Sequence, residues 1–448
     1  MDIVSNTHHT QHLIIGFGKA GKTLAYTLGK LGKSVILVEQ SSQMYGGTCI
    51  NIGCIPSKKL SFLSDKPNKG SLKTAVDKKD ELVDQLNRAN FDKLDNLDGV
   101  QVITGQASFL DKYTIAVATK NETLILTADN IYINTGAHHW QPPIVGLSES
   151  QFVHDSTSLM ALKNHPDELI IIGGGYIGLE FAFTFAGFGS RVTILESNNA
   201  FLPKEDDDIR RSLLDIMHSK HIEVKTGIQI ESVSDDDNQA IITTSQGVLT
   251  ANAVLVATGR RANTHGLGLD NAGINLTDKG FIAVNEHLQT SQPHIYAMGD
   301  VAGSPQFTYI SLDDYRVVKS HLLGDGSYTT KGRTFPYAVF THPPLAAVGL
   351  TEKTAKEQGL TIKTAKLYAN SIPKAKINEQ TDGILKAVVN VENDEILGVQ
   401  LLCENSHEMI NFMDLAIRQG MTASDIANHI FTHPTMSEAL NDLFGSIE

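Results

Sequence analysis

Leu13-Ile14-Ile15-Gly16-Phe17-Gly18-Lys19-Ala20-Gly21, with Val35-Ile36-Leu37-Val38-Glu39 downstream, is matched in pattern by a second stretch. That stretch is Leu169-Ile170-Ile171-Ile172-Gly173-Gly174-Gly175-Tyr176-Ile177-Gly178, with Val192-Thr193-Ile194-Leu195-Glu196 downstream. In each, an apolar strand runs into G-x-G-x-x-G, then a helix, then a second strand ending in glutamate. Glu39 follows Gly16, and Glu196 follows Gly173, by 23 positions in both copies. The glycines make the tight turn, admit a pyrophosphate to the backbone and let the helix pack on the strand. The helix N-terminus offers unpaired N–H groups and positive dipole to the phosphates. The terminal carboxylate suits a ribose hydroxyl. One such motif is weak evidence; two in the same context predict two dinucleotide sites on an α/β fold.

Between them stands Gly46-Gly47-Thr48-Cys49-Ile50-Asn51-Ile52-Gly53-Cys54-Ile55-Pro56-Ser57-Lys58, which holds two of the three cysteines. Five positions apart on an ideal helix, their Cα atoms would be roughly 8–9 Å apart, whereas a disulfide needs about 4.4–6.8 Å. A bridge therefore requires a distorted backbone, which Gly46, Gly47 and Gly53 permit. A staple across so short a loop stabilises little. Beside a nucleotide unit, the pair reads as a redox-active disulfide.

Leu169–Phe188 is almost wholly apolar or glycine and long enough to span a bilayer at about 20 residues. Three glycines near its start and Glu180 near its middle are at odds with lipid and in accord with strand, turn and helix. Met1–His12 carries no basic patch or apolar run, so a signal peptide is not expected; His8, His9 and His12 read as part of a disordered polar lead-in. With three cysteines the chain is expected in the cytoplasm. The 448 residues, 41% hydrophobic, suffice for about three domains. Lys and Arg number 37 against 50 Asp and Glu, a formal net charge of −13, and no basic cluster interleaves with aromatics. Nucleic acid is excluded as a partner on that ground.

Residues 71–98 have the spacing of a surface helix. Val100–Ile125 alternates like strands, and Ile131-Tyr132-Ile133-Asn134-Thr135-Gly136 reads as a strand returning to the first nucleotide site. The second unit closes at Val254-Leu255-Val256-Ala257-Thr258-Gly259-Arg260. Ile295-Tyr296-Ala297-Met298-Gly299-Asp300 ends a further strand on a carboxylate. A Gly/Ser/Thr-rich linker, Leu323–Lys331, precedes a C-terminal region from Arg333.

This order of motifs resembles the pyridine nucleotide–disulfide oxidoreductases, the class of dihydrolipoamide dehydrogenase, glutathione reductase and mercuric reductase, from Leu13 to the C-terminus. The resemblance implies an FAD-binding domain with the redox disulfide over 1–155 and an NAD(H)-binding domain over 156–264. A return to the FAD domain follows over 265–332, and an α+β dimerisation domain over 333–448. It assigns FAD to Gly16, Gly18, Gly21, Glu39, Gly47, Thr48, Lys58, Thr135, Gly136, Gly299 and Asp300. It assigns NAD(H) to Gly173, Gly175, Tyr176, Gly178, Glu196 and Gly259. Cys54 matches the thiol beside the flavin and Cys49 the thiol that exchanges with substrate. Lys58 and Glu180 match an ion pair at the flavin's reacting edge, and Tyr176 the ring that shields the flavin until nicotinamide arrives. His433 and Glu438, in His-Pro-x-x-x-Glu, match the acid/base; they are expected within the last helical stretch and, in a homodimer, reach the partner's disulfide.

The chemistry is consistent from below. Two electrons pass from flavin to disulfide, and a histidine near neutral pKa exchanges the protons. Glu196, with no arginine in Ser197-Asn198-Asn199-Ala200, points to NADH over NADPH. For the acceptor, the chain lacks the C-terminal vicinal cysteines of mercuric reductases; Cys403 reads as a buried strand residue. Phe431 stands where dihydrolipoamide dehydrogenases carry a second histidine. Met44–Cys49, Gln306–Tyr315 and Ser406–Asn411 look like the RclA subgroup, flavoproteins tied to reactive-chlorine stress and NADH-driven copper(II) reduction. That similarity implies a thiophilic metal ion as substrate, touched by Cys49 and Cys54, with no structural metal site. A reductase of lipoamide or another small disulfide, and a flavin-bound redox sensor, are the alternatives.

Overall fold

The structure is a computed structural model that describes residues 7–66 and 70–447. The chain divides into two units, one of residues 1–59, 74–140 and 259–332, the other of 60–73, 141–258 and 333–448.

The first unit is built on one sheet. Its parallel part runs Val100–Thr104, Val35–Glu39, Thr7–Ile15, Thr123–Ile133. The last of these is long enough to take Thr114–Ala118 antiparallel on its first half and Ile295–Ala297 parallel on its second. Val35–Glu39 is buried throughout, as a parallel strand covered on both faces must be, and so reads as an unbroken apolar run. The helix Lys19–Lys30 packs on it through Ala20, Leu24, Ala25 and Leu28, an apolar stripe at helical spacing. Strand order reverses between Thr7–Ile15 and Thr123–Ile133, and their C-terminal ends open the crevice in which such sheets bind ligands.

The expected lead-in is corrected here. His8, His9 and His12 belong to the strand Thr7–Ile15, which pairs from Thr7 opposite Ile125 onward. His12 is buried, with Nδ1 3.0 Å from the Tyr132 hydroxyl. Residues 1–6 lie outside the described part. The surface helix is present as Leu72–Asp95.

The second unit repeats the design. Its parallel sheet runs Ile222–Thr226, Arg191–Glu196, Glu168–Ile172, Ala253–Val256, Val153–His154, again reversing beside the fingerprint strand. The helix Tyr176–Phe188 closes on Gly189 at φ 113°, a left-handed C-terminal cap that favours glycine. Val153–His154, assigned to the first domain on sequence, pairs here. The C-terminal region is an antiparallel sheet in the order Tyr337–Val339, Leu345–Gly349, Ile396–Leu402, Ile384–Asn390, Ile362–Tyr368. Helices Ser406–Arg418 and Ala439–Gly445 add Met409, Met413, Leu440 and Leu443 to its core.

Candidate active site

The first fingerprint is held by a residue outside it. A Cβ on Gly16 would lie 2.4 Å from the Asn134 carbonyl, and one on Gly18 2.3 Å from Asn134 Oδ1. No side chain fits there, and Gly16 also has φ +101°. Asn134 Oδ1 accepts from Gly21 N at 2.9 Å while its Nδ2 donates to the Met298 carbonyl at 2.7 Å. Asn134 thus ties the glycine turn to the Gly299-Asp300 strand end. Gly18 caps the helix Lys19–Lys30 with no side-chain bond; of the first-turn N–H groups, those of Ala20 and Gly21 are taken by Ser311 Oγ and Asn134 Oδ1, so the helix dipole and the glycine turn are what the end offers an anion. Glu39 is buried; burial raises its pKa against the opposing N–H groups of Phe17, Ser41 and Gln40. Phe17 N donates to its Oε2 at 2.9 Å, so one oxygen pins the turn while the other faces Ser41 N at 3.4 Å.

Across the crevice, the Thr135 hydroxyl donates to the Asn263 carbonyl at 2.9 Å. Gly136 takes φ +71° and accepts from Asn263 N at 2.9 Å. Gly259, assigned to NAD on sequence, falls in this unit at φ +117° and accepts from Trp140 N. Gly299, φ +73°, donates to the fully buried Asp314 at 2.7 Å. Asp300 has its pKa raised by burial, with the Arg260 guanidinium 4.0 Å away opposing. Glycine turn, helix end and two acids fit the pyrophosphate and ribose of a dinucleotide.

The cysteines stand beside this cradle. The helix expected to distort does break: Thr48–Asn51 ends, and Cys54–Ser64 begins after Ile52 and Gly53. A Cβ on Gly53 would lie 2.9 Å from the Thr48 carbonyl, so the two short helices approach too closely for a side chain. Gly47, φ +80°, lies against Gly18; its Cβ would be 2.8 Å from Gly18 Cα. Two glycines thereby seat the cysteine segment on the fingerprint. Cys49 and Cys54 stand unbridged here, as a redox-active pair does in its reduced form. The Cys49 thiol is hydrogen-bonded to Cys54; that bond, then burial, pushes its pKa well up, while Thr308 and Lys22 oppose. Cys54 Sγ lies 3.5 Å from Thr308 Oγ1, the first residue of the helix Thr308–Leu323.

Sequence reasoning missed four residues of this unit. Asn134 and Asp314 are polar residues in apolar surroundings, a signal that could have found them. Ser311 accepts from Ala20 N at 3.2 Å. Lys22 donates to the Gly46 carbonyl at 3.1 Å and to Asn90 Oδ1 at 2.7 Å, and burial lowers its pKa to about 8. It anchors the turn that presents Cys49.

The second fingerprint repeats the device. A Cβ on Gly173, φ +106°, would meet the Ala257 carbonyl at 2.6 Å, and one on Gly178 the Gly173 carbonyl at 2.3 Å. Gly175 caps the helix with no side-chain bond. Gly174 N donates to Glu196 Oε2 at 3.0 Å, matching Phe17 and Glu39 position for position. Asn198 donates to Glu196 Oε1 through its backbone at 2.8 Å and its side chain at 2.7 Å. Tyr176 opens the helix with its hydroxyl on Glu205 at 2.9 Å.

Lys58 and Glu180 fall in different units; Glu180 Oε1 accepts from Phe340 N at 3.1 Å. In the C-terminal region, His433 Nδ1 lies 2.7 Å from Glu438 Oε2. The expectation of a helix there is corrected: His433 lies in a turn, and Glu438 is the residue before Ala439–Gly445. Pro434 lacks the N–H a helix interior needs, and the Thr435 hydroxyl, accepting from Glu438 N at 3.2 Å, closes the turn instead. Cys403 is buried, and burial raises its pKa. Among the described residues no cluster of three His, Cys, Asp or Glu could hold a metal ion, and no helix is long and apolar enough to cross a membrane.

Comparison with known proteins agrees with this geometry. A protein of Escherichia coli K12 described as "Probable pyridine nucleotide-disulfide oxidoreductase RclA" is 45% identical over 439 residues, 98% of this chain and 99% of that one. A mercuric reductase of Staphylococcus aureus is 33% identical, covering 96% of this chain and 80% of that protein. A dihydrolipoyl dehydrogenase of Geobacillus stearothermophilus is 32% identical, covering 96% and 94%. A solved structure, "Cu(II) complex of HOCl-induced flavoprotein disulfide reductase RclA from Escherichia coli", superposes with a TM-score of 0.96 at 44% identity, covering 98% of this chain and 100% of that one. The family is FAD-dependent and uses NAD(P)H. Residues 10–314 match "Pyridine nucleotide-disulphide oxidoreductase" and residues 335–444 its dimerisation domain. With two dinucleotide cradles, a thiol pair on the first and a C-terminal histidine–glutamate pair, the chain belongs to the pyridine nucleotide-disulphide oxidoreductase family, as a flavoprotein disulfide reductase of the RclA type.

Proposed function

We propose that this chain is a homodimeric NADH-dependent reductase of a thiophilic metal ion, Cu(II), in defence against oxidative and reactive-chlorine stress. The observation that carries the reading is the Cys49–Cys54 contact on the first nucleotide cradle, with Cys54 3.5 Å from Thr308 Oγ1.

FAD, when bound, would supply hydride chemistry with NADH, and the Cys49–Cys54 disulfide would receive the two electrons. Gly16, Gly18 and Gly21 with the helix end at Lys19 would hold its pyrophosphate, Glu39 and Asp300 its hydroxyl groups, and Gly47, Thr48, Lys58, Thr135, Gly136 and Gly299 its remainder. Gly173, Gly175, Tyr176, Gly178 and Glu196 would receive NADH. Lys58 and Glu180 are the two charged residues assigned to the electron-transfer chemistry. Cys54 faces the flavin and Cys49 the acceptor. His433, oriented by Glu438, takes the proton that leaves the thiol. The thiols then close their disulfide, release two protons and reduce two Cu(II) to two Cu(I), the state that soft thiolates favour. The likeness to a Cu(II) complex of RclA supports this acceptor.

The test is NADH oxidation by purified protein against Cu(II), Hg(II), lipoamide and oxidised glutathione in parallel. Cu(II) is expected to give the highest kcat/KM. A higher value with lipoamide would make the chain a small-disulfide reductase, and turnover with none of the four would leave a flavin-bound sensor.

A further inference from the structure

Lys22 leaves the first turn of the helix Lys19–Lys30 and reaches the cysteine segment. Its ammonium donates to the Gly46 carbonyl at 3.1 Å and to Asn90 Oδ1 at 2.7 Å. Asn90 is turned for this. Its Nδ2 donates to the Leu86 carbonyl at 2.7 Å, one turn back in the helix Leu72–Asp95, which gives Oδ1 to the lysine. A Cβ on Gly46, φ +94°, would lie 3.2 Å from Asn90 Cγ, so the two acceptors are close neighbours.

The segment has other ties that carry no charge. Asn51, two residues after Cys49, donates through Nδ2 to the Tyr45 and Gly47 carbonyls, both at 2.9 Å, and its Oδ1 accepts from Asn87 at 2.9 Å. Gly47 N donates to the Met44 carbonyl at 2.8 Å. Two neutral donors would satisfy Gly46 and Asn90 without the cost of burying an ammonium. Both acceptors of Lys22 are neutral, and among the described residues no carboxylate pairs with it. Burial, with Lys19 and Lys93 adding to it, lowers the Lys22 pKa to about 8; Cys49 is the group that acts the other way. Lys22 and Thr308 in turn oppose the Cys54 contact and the burial that raise the Cys49 pKa. A buried cation whose one favourable electrostatic partner is a thiol serves that thiol.

We propose that Lys22 is a positioning residue of the redox pair whose ammonium, aimed by Gly46 and Asn90, supplies the positive charge that stabilises the Cys49 thiolate. The lysine keeps its proton; it lowers the cost of charge on sulfur and is not the base that takes the thiol proton. This rests on the reading of Cys49 and Cys54 as the redox pair, whatever the acceptor.

The test is the rate of iodoacetamide alkylation of Cys49, read by peptide mass spectrometry on FAD-loaded Cys54→Ser enzyme, in which Cys49 is the one thiol of the pair. Lys22→Gln in this background keeps a polar donor and removes the charge. It is expected to slow alkylation about fivefold near neutral pH, and the deficit is expected to close above about pH 8, where Lys22 itself loses the charge. Lys22→Arg, which is always charged, is expected to restore the rate. An unchanged rate in Lys22→Gln, a deficit of the same size at every pH, or Lys22→Arg no faster than Lys22→Gln would overturn the proposal. Should Lys22→Gln not fold, Asn90→Asp takes its place: a carboxylate against the ammonium cancels its field and is expected to slow alkylation, and an undiminished rate would overturn the proposal. Peptide mapping of the oxidised wild-type enzyme tests the pair itself, with a Cys49–Cys54 disulfide expected. If that disulfide forms and the Lys22 expectations fail, the lysine's role alone is lost. If it does not form, the redox pair fails and the lysine's role with it.

Discussion

The Glu438 carboxylate lies 2.7 Å from Nδ1 of His433, with its second oxygen 3.3 Å from Thr435 N. One ring nitrogen is thereby fixed to a carboxylate that is itself held by the turn, leaving Nε2 to exchange a proton. His433→Ala is expected to lower kcat by about 10²–10⁴-fold, the usual worth of a general acid/base. Glu438→Gln is expected to cost less, because it disturbs orientation and charge but keeps the imidazole. Equal kcat for His433→Ala and wild type would remove His433 from the chemistry.

If the histidine serves the partner's thiols, two inactive proteins can repair one another. Cys49→Ser and His433→Ala chains, unfolded and refolded together, are expected to form hybrid dimers with one intact site and to regain part of the activity. A fully active monomer in sedimentation, or no recovery in verified hybrids, would contradict the shared site.

Glu196 is the residue we propose selects the nucleotide. It takes one N–H from Gly174 and two from Asn198, and its charge repels a 2′-phosphate. NADH is expected to exceed NADPH in kcat/KM, and Glu196→Ser to narrow the ratio about tenfold or more by removing the repulsion. A wild-type preference for NADPH would refute the assignment.

Lys386, 2% exposed, lies 3.0 Å from Asp206, 3.1 Å from Asp208 and 2.7 Å from Glu352. Lys386→Met leaves these acids without their central cation and is expected to cost about 3–5 kcal/mol of stability, read by denaturant unfolding. Burial would raise the Asp208 pKa, but Lys366 and Lys386 outweigh it and hold it low; Lys356 and Lys386 hold Glu352 low. Carboxylates depressed in the folded state lend stability above their ordinary pKa of about 4, which is lost as pH falls through the folded values. The gap between wild type and Lys386→Met is therefore expected to shrink below about pH 4. A gap independent of pH would show that the cluster acts through packing alone.

Both nucleotide sites were legible because glycine spacing is dictated by close approach. Gly18 has no room beside Asn134, and Gly173 none beside Ala257. The break between Cys49 and Cys54 was legible for the same reason, through Gly53. Contacts made far along the chain were hidden. Asn134 meets Gly21 across 113 positions, and Glu205 meets Gln400 across 195. The polar run His8-His9-Thr10-Gln11 resembles a loose terminus until the strand ending at Ile133 supplies its partner. The turn at His433 replaced an expected helix because Pro434 and the Thr435 hydroxyl outweigh the helical pattern that follows.

The central claim is that electrons reach the acceptor through Cys49 and Cys54. It is tested most directly by anaerobic titration with one equivalent of NADH, followed by Cu(II), in wild type and Cys54→Ser. Wild type is expected to develop long-wavelength absorbance from a thiolate beside the flavin, which Cu(II) discharges with formation of Cu(I); Cys54→Ser is expected to do neither. Flavin bleaching alone in wild type, or undiminished Cu(I) formation by Cys54→Ser, would contradict the account.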